Sequence, residues 1–274
     1  MPWNPTTIRR PDKAFKTATD TVRVTTDAGP GYLKALGNHG SPHYLAADLV
    51  GTQLASWFGL PTFEWAIVDV TPEDEIKFVG GGQAEPGPTF ITRETSGTTW
   101  GGTEEELKTL VNPADVGKLV LFDTWTRNCD RHPPDLTTRK VNRNNVFLSN
   151  EGLSDGKWRL IAMDHTHCFN CGRDLNAQLG HIDLVQDDRL FGLFPEFKII
   201  IREHPEGVLD GLANLAALDR TWLETIVAGI PAAWQVDTSG RTALANLLLN
   251  RAQYVTGTFF ATLQKQLELP DLNL

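Results

Sequence analysis

Cysteine is scarce in this chain, with three residues in 274, at positions 129, 168 and 171. An odd, small number does not build a secreted disulfide framework and fits a reducing compartment. Long apolar runs are missing too. No stretch approaches the ~20 apolar residues of a membrane-spanning helix. The segment from Met1 to Lys16 is polar and contains proline, without the apolar core of a secretory signal. Nor does positive charge dominate. Lys and Arg number 25 against 34 Asp and Glu, a formal charge of −9, which argues against direct nucleic-acid binding. These shortages point to a cytoplasmic protein with no membrane partner. What is present is ordinary for a folded chain, 41% hydrophobic and 22% charged, and the length suits one large domain or two lobes sharing a cleft.

The first third is strand-rich. Thr21 to Thr26 alternates and is β-branched, Asp27 to Gly31 reads as a turn, and Tyr32 to Leu36 as the returning strand. Gly37 to Ser41 is a loop. Leu45 to Phe58 places Leu45, Leu49, Val50, Leu54, Trp57 and Phe58 on one broad helical face, stopped by Gly59 and Pro61. Phe63 to Val70 and Pro88 to Thr92 are further strands, separated by an acidic, glycine-rich surface loop. Beyond residue 93 the character changes. Asn112-Pro113 opens a helix over Ala114–Thr126. Val146–Leu148 and Trp158–Met163 read as a hairpin. The remainder is mostly helical and ends in a long helix from Thr242 to about Leu263. The pattern predicts an α+β fold, with a small β-rich lobe over residues 1–92 and a larger helical lobe over 93–274.

Three segments carry the chemistry: Asn128-Cys129-Asp130-Arg131-His132, then Asn144-Asn145-Val146-Phe147-Leu148, then Ile161-Ala162-Met163-Asp164-His165. They set an acid, an amide and a second acid in the order in which kinase-type sites place a base and two metal ligands around a triphosphate. Asp130, on a loop after a helix, can accept or orient an acceptor's hydroxyl proton. Asn145, with Asn144 as its alternative, offers a hard amide oxygen to Mg²⁺, and Asp164 at a strand end offers a carboxylate. Strand alternation turns Lys34 away from Leu33 and Ala35 and into the cleft, where it can steady phosphates with Asp48 of the following helix as its acidic partner. Phe90-Ile91-Thr92-Arg93-Glu94 is the candidate adenine-binding edge, with Phe90, Ile91 and Thr92 as its strand part, through backbone N–H and C=O groups.

These motifs, together with the helix ending Leu54-Ala55-Ser56-Trp57-Phe58-Gly59-Leu60-Pro61, resemble the HipA-like kinase family over roughly Tyr32 to Phe169. The resemblance implies a two-lobed, protein-kinase-like fold using ATP and Mg²⁺. It makes Lys34 the phosphate lysine, Asp130 the catalytic residue, and Asn145 and Asp164 the metal ligands. It also implies a protein Ser/Thr acceptor, autophosphorylation in some cases and, in toxin-type members, an antitoxin partner. Three departures stand out. The helix acid is Asp48 where the family usually shows Glu. Pro133 to Arg143 looks like an insertion between Asp130 and Asn145. No glycine-rich phosphate loop is evident, although Thr17–Asp20 or Gly37–Ser41 can serve.

Three other readings use the same residues. A pseudokinase keeps the nucleotide without turnover. Asp130, His132, Asp164 and His165 could form a hydrolytic metal site. His167, Cys168 and Cys171, with His181 nearest to hand, could hold zinc, although a reduced, packed cysteine pair accounts for the cysteines more simply.

Overall fold

The alternating segments assemble into a five-stranded antiparallel sheet in the computed structural model, which describes residues 3–267. Its strands are β1 (Ile8–Ala14), β2 (Val22–Thr26), β3 (Gly29–Lys34), β4 (Trp65–Val70) and β5 (Gly87–Arg93), in the spatial order β1-β2-β3-β5-β4. Period-two burial gives the sheet two faces. Val22, Val24, Leu33, Ala66, Val68 and Ile91 point to one side and form a small core with Ile76, Phe78 and Ala84. Tyr32, Lys34, Phe90 and Thr92 point to the other, into a cleft.

Helix α1 (His43–Trp57) lies between β3 and β4 in the chain, yet its packing follows the helical part. Leu45, Leu49, Val50, Leu54 and Phe58 share one continuous core with Val116, Leu119 and Phe122 of α3 (Ala114–Thr126). The Phe58 ring packs tilted against Phe122 and Trp125 at centroid distances of 5.8 and 5.9 Å. The other elements are β6 (Gly97–Thr99), α2 (Glu104–Leu107), β7 (Val146–Ser149), β8 (Arg159–Ala162), α4 (Cys168–Cys171), α5 (Ile182–Val185), α6 (Phe197–Glu203), α7 (Glu206–Ala216), α8 (Arg220–Ala228) and α9 (Thr238–Leu267). Strands β6, β7 and β8 form a second antiparallel sheet below the cleft. Among the described residues no helix is long and apolar enough to cross a membrane.

The fold is the expected α+β arrangement, a β-rich lobe against a larger helical one, but two strands escaped the sequence pattern. β1 is an edge strand with five consecutive exposed residues and a proline, so it lacks the alternation that marks a half-buried strand. β6 is three exposed residues.

Candidate active site

The end of α3 sets the first functional loop. Arg127 turns the chain through a left-handed conformation, φ 55°. Arg251 of α9, fully buried, satisfies carbonyls that the helix end leaves open, donating to Thr124 and Trp125 as well as to Leu184, Val185 and Asp187. The Asn128 side chain accepts from the Asp130 backbone N–H at 3.2 Å. Arg131 then points inward and is fully buried. It pairs with Asp123 of α3, donates to the Asn145 carbonyl at 2.9 Å and to the Met163 carbonyl at 2.5 Å. One rigid guanidinium therefore fixes the loop carrying Asp130, the start of β7 and the end of β8 relative to each other. Burial pushes the Asp123 carboxyl up to about 6, with Arg131 opposing the rise.

The side chains of Asp130 and Asn145 meet directly. Asn145 Nδ2 donates to Asp130 Oδ2 at 2.6 Å, and Asn142, from the inserted segment, donates to the same oxygen at 3.3 Å. Asn144 lines the cleft but makes no hydrogen bond to Asp130. The second acid is held across the way. Asp164 sits in a left-handed conformation, φ 53°, its Oδ1 accepting from Thr166 Oγ1 at 2.8 Å and from Lys34 Nζ at 3.1 Å. Lys34 also donates to Asp48 Oδ2 at 2.6 Å, while Asp48 Oδ1 accepts from the His165 backbone N–H at 2.8 Å. The shorter acid therefore does reach its lysine. It can also bind His165 because α1 approaches that segment closely: a Cβ on Gly51 would lie 2.4 Å from the Cβ of His165.

Two carboxylates share one ammonium here, so the cluster carries net negative charge. Burial alone would raise the Asp164 carboxyl, but Lys34 and the Thr166 hydroxyl outweigh it and hold the group well below the ordinary carboxylate range. Burial likewise works against the Lys34 charge and is overcome by Asp164 and Asp48, so its pKa lies above that of a free lysine. Asp48 is pushed up by burial and by the second carboxylate, with Lys34 opposing.

Lys34, Asp48, Asn145 and Asp164 line a cleft of about 870 Å³, within the range of cofactor sites. Its apolar walls come from Phe63, Phe90, Phe147 and Met163, and Phe15 and Thr17 of the β1–β2 connection close one side. A hollow of about 480 Å³ along β1, bordered by Arg10, Asp12 and Glu73, shares no residue with it. Of the Phe90–Glu94 edge, Phe90, Thr92, Arg93 and Glu94 line the cleft, but the strand part is paired on both sides. β5 is flanked by β3 and β4, which pair with Phe90, Ile91 and Thr92, so their backbone groups are taken up by the sheet. Ile91 faces the sheet core. Phe90 and Thr92 reach the cleft through side chains, and the lining beyond the paired strand is Glu94, Thr95 and Ser96.

The hydrolytic grouping of Asp130, His132, Asp164 and His165 does not assemble. The His132 ring packs on Phe194 and the buried His165 ring on Phe122. Burial holds the His165 pKa well below the ordinary histidine value. Nor do His167, Cys168, Cys171 and His181 gather: among the described residues no three His, Cys, Asp or Glu side chains are placed to hold a metal. Sequence reasoning missed Thr166 and Asn142, whose side chains hold Asp164 and Asp130. His167 Nδ1 stands 3.7 Å from Asp130 Oδ2. Each lies within three residues of a singled-out motif, the only sequence signal available.

A family model described as HipA-like kinase matches residues 31–259, and the chain belongs to that family. Among solved structures, the proinflammatory kinase CtkA of Helicobacter pylori is similar with a TM-score of 0.59 at 12% identity, over 97% of this chain and 99% of that one. HipA of Shewanella oneidensis MR-1, solved with HipB and operator DNA, is similar with a TM-score of 0.43 at 10% identity, over 95% of this chain and 66% of that one. The CtkA likeness shows a shared kinase fold. No curated protein sequence matches the chain. Membership of the family supports a kinase and implies ATP as phosphoryl donor, typically with Mg²⁺.

Proposed function

We propose that the protein transfers the γ-phosphoryl of ATP to a Ser or Thr hydroxyl of a protein, itself included, with Mg²⁺ held by Asn145 and Asp164. The observation that carries this is Lys34, bound at once to Asp48 and Asp164 at 2.6 and 3.1 Å on the wall of the cleft. The donor set suits a hard divalent cation. Asp164 is kept ionised, the Asn145 amide oxygen accepts from no described residue, and the cluster has more carboxylates than ammonium groups. When bound, Mg²⁺ supplies charge neutralisation at phosphate oxygens.

The chain's own residues supply placement. Asp130, with one oxygen held by Asn145 and Asn142, receives or orients the proton of the attacking hydroxyl. Lys34 offers its ammonium to phosphate oxygens, relinquishing part of its hold on the two acids. Phe63, Phe90 and Phe147 give a base an apolar slot, and the backbone N–H and C=O of Thr95, which bond no described residue, are the groups offered to its polar edge. The chain division at 92/93, a cytoplasmic location, and an antitoxin partner of the kind known in toxin-type members belong to the same proposal.

The decisive experiment is transfer from γ-labelled ATP by wild type and Asp130→Ala, alone and with cell lysate. Label on the protein or on a lysate band, lost in Asp130→Ala while ATP binding persists, is expected. Equal labelling by the variant removes Asp130 from its role, and ATP binding without any transfer makes the protein a pseudokinase.

A further inference from the structure

A chain of polar side chains crosses the five-stranded sheet and ends at the cleft wall. Arg23 of β2 and Tyr32 of β3 are paired directly opposite each other, so their side chains share a face. The Arg23 guanidinium grips Glu94, just beyond β5, in a fork: Nε donates to Oε1 and Nη2 to Oε2, both at 2.8 Å. Its third nitrogen, Nη1, donates to Asp12 Oδ2 of β1 at 2.8 Å, and Thr25 Oγ1 donates to the same oxygen at 2.8 Å. The Tyr32 hydroxyl donates to Glu94 Oε1 at 3.2 Å. Burial and the Glu94 charge hold the Tyr32 phenol above its ordinary pKa, so it stays a donor. Arg23 holds the Glu94 carboxyl below its ordinary value, so it stays an acceptor. Tyr32 and Glu94 line the cleft, while Arg23 and Asp12 stand behind it. Asp12 borders the hollow along β1 instead.

We propose that Arg23 is a positioning residue for the nucleotide base and sets a preference for adenine over guanine. It acts through Glu94 at two points. First, it fixes the Tyr32 ring, which lies 5.9 Å from the Phe15 ring between centroids and forms the sheet-side wall of the base slot, with Phe63 and Phe147 among the other lining residues. Second, it anchors Glu94 itself, the residue before Thr95, whose backbone N–H and C=O bond no described residue. The Glu94 N–H donates to the Pro30 carbonyl at 3.1 Å, and the Arg93 side chain pairs with Glu64 and Glu151 at 2.6 and 2.8 Å. Thr95 therefore follows a segment tied to β2, to the β2–β3 turn and to the β7–β8 hairpin. A donor beside an acceptor, both fixed in place, matches adenine, which presents an N1 acceptor and a 6-amino donor. Guanine presents the reverse, an N1–H donor and an O6 acceptor, and leaves both Thr95 groups facing groups of their own kind. The Tyr32 wall adds affinity for any base, since every base has a π-face. Choice between bases comes from Thr95, and it lasts only while Thr95 cannot shift.

The role rests on the nucleotide site proposed above but needs no phosphotransfer. The test is calorimetric binding of the non-hydrolysable imido analogues of ATP and GTP, with Mg²⁺, to wild type and variants below their melting temperatures, with KM and kcat for ATP measured in parallel. Wild type is expected to prefer the adenine analogue. Arg23→Gln should weaken that analogue about tenfold and the guanine analogue less, so the ratio narrows. In turnover the loss should fall on KM rather than kcat. Arg23→Lys, which keeps the charge without the fork, should recover part of the ratio. Glu94→Gln breaks the fork within the same volume and should narrow the ratio likewise, so it carries the test where Arg23→Gln does not fold. Tyr32→Phe, which keeps the ring and the Arg23–Glu94 pair, should weaken both analogues alike. Equal binding of the two analogues by wild type would overturn the preference. A ratio unchanged in both Arg23→Gln and Glu94→Gln, with or without a fall in melting temperature, would overturn the positioning role. A narrowed ratio in a protein that transfers no phosphoryl supports Arg23 and removes the kinase function; binding of neither analogue by wild type removes both.

Discussion

Replacing Lys34 by methionine tests the centre of the site, because it removes the ammonium and keeps most of the side chain. Lys34 and Asp48 are 14% and 3% exposed in their side chains, so water screens the pair little. Breaking a buried ion pair costs about 3–5 kcal/mol, and the lower end applies because Lys34 is partly exposed. At roughly 2–4 °C per kcal/mol for a chain of this size, the melting temperature should fall by about 6–12 °C at pH 7. The pH dependence has a definite sign. In the wild type Asp164 is held below its ordinary 3.8, so its stabilisation is complete above that pH and is lost only as pH falls through the depressed value. Without Lys34, Asp48 and Asp164 repel and both move upward. A raised carboxyl destabilises the folded state at pH above its new value, and protonation relieves it below. The gap between wild type and Lys34→Met should therefore narrow from pH 7 to pH 5. Differential scanning fluorimetry across that range measures it. A gap that stays constant or widens refutes the shared ammonium. In labelled-ATP kinetics, losing a charge-assisted contact of ~1.5–3 kcal/mol should lower kcat/KM for ATP about ten- to hundredfold.

Asp164→Ala should abolish the Mg²⁺ dependence of nucleotide binding, read by calorimetry with and without the ion; a retained dependence would move the metal elsewhere. Arg131→Lys should lower the melting temperature by roughly 5–10 °C, since an ammonium cannot reproduce three divergent bonds, and should cut turnover more than ATP affinity. Equal stability and kinetics would show that the loop holds itself. Gly51→Ala should destabilise by about 1–3 kcal/mol through overpacking against His165, visible in urea unfolding. A neutral change would mean the segment after Asp164 is not pressed onto α1.

The sequence declared those elements whose periodicity and stop signals agree. α3 begins and ends at the expected residues because Asn112-Pro113 starts it and its apolar positions are buried; the β7–β8 hairpin follows from two apolar runs around a polar tip. β1 was illegible because its partners touch only one edge and neither face gives it an apolar stripe. The pairing of Phe90, Ile91 and Thr92 on both sides was hidden because no local pattern tells a central strand from an edge strand, and β5 gains its second neighbour from β3, distant in sequence. Asp130, Asn145 and Asp164 were legible as motif positions, and Lys34 as the odd polar residue on a strand. The device that aligns them was not. Arg131 stands inside the first motif with nothing local to mark its partners, and only the fold shows its acid to be Asp123 and shows the two backbone carbonyls that complete its grip. The insertion also hid a contributor, Asn142, whose amide is indistinguishable in sequence from any loop asparagine.

The membership of α1 in the larger core has a mechanical consequence. Asp48 and the His165 amide belong to the larger core, while Lys34 stands on the five-stranded sheet, which has its own small interior and lends Phe90 to the larger core. Any displacement of β3 away from α1 would therefore strip the lysine from both acids together. On the function proposed above, a nucleotide that draws Lys34 onto its phosphates would replace the hold of both acids on the sheet.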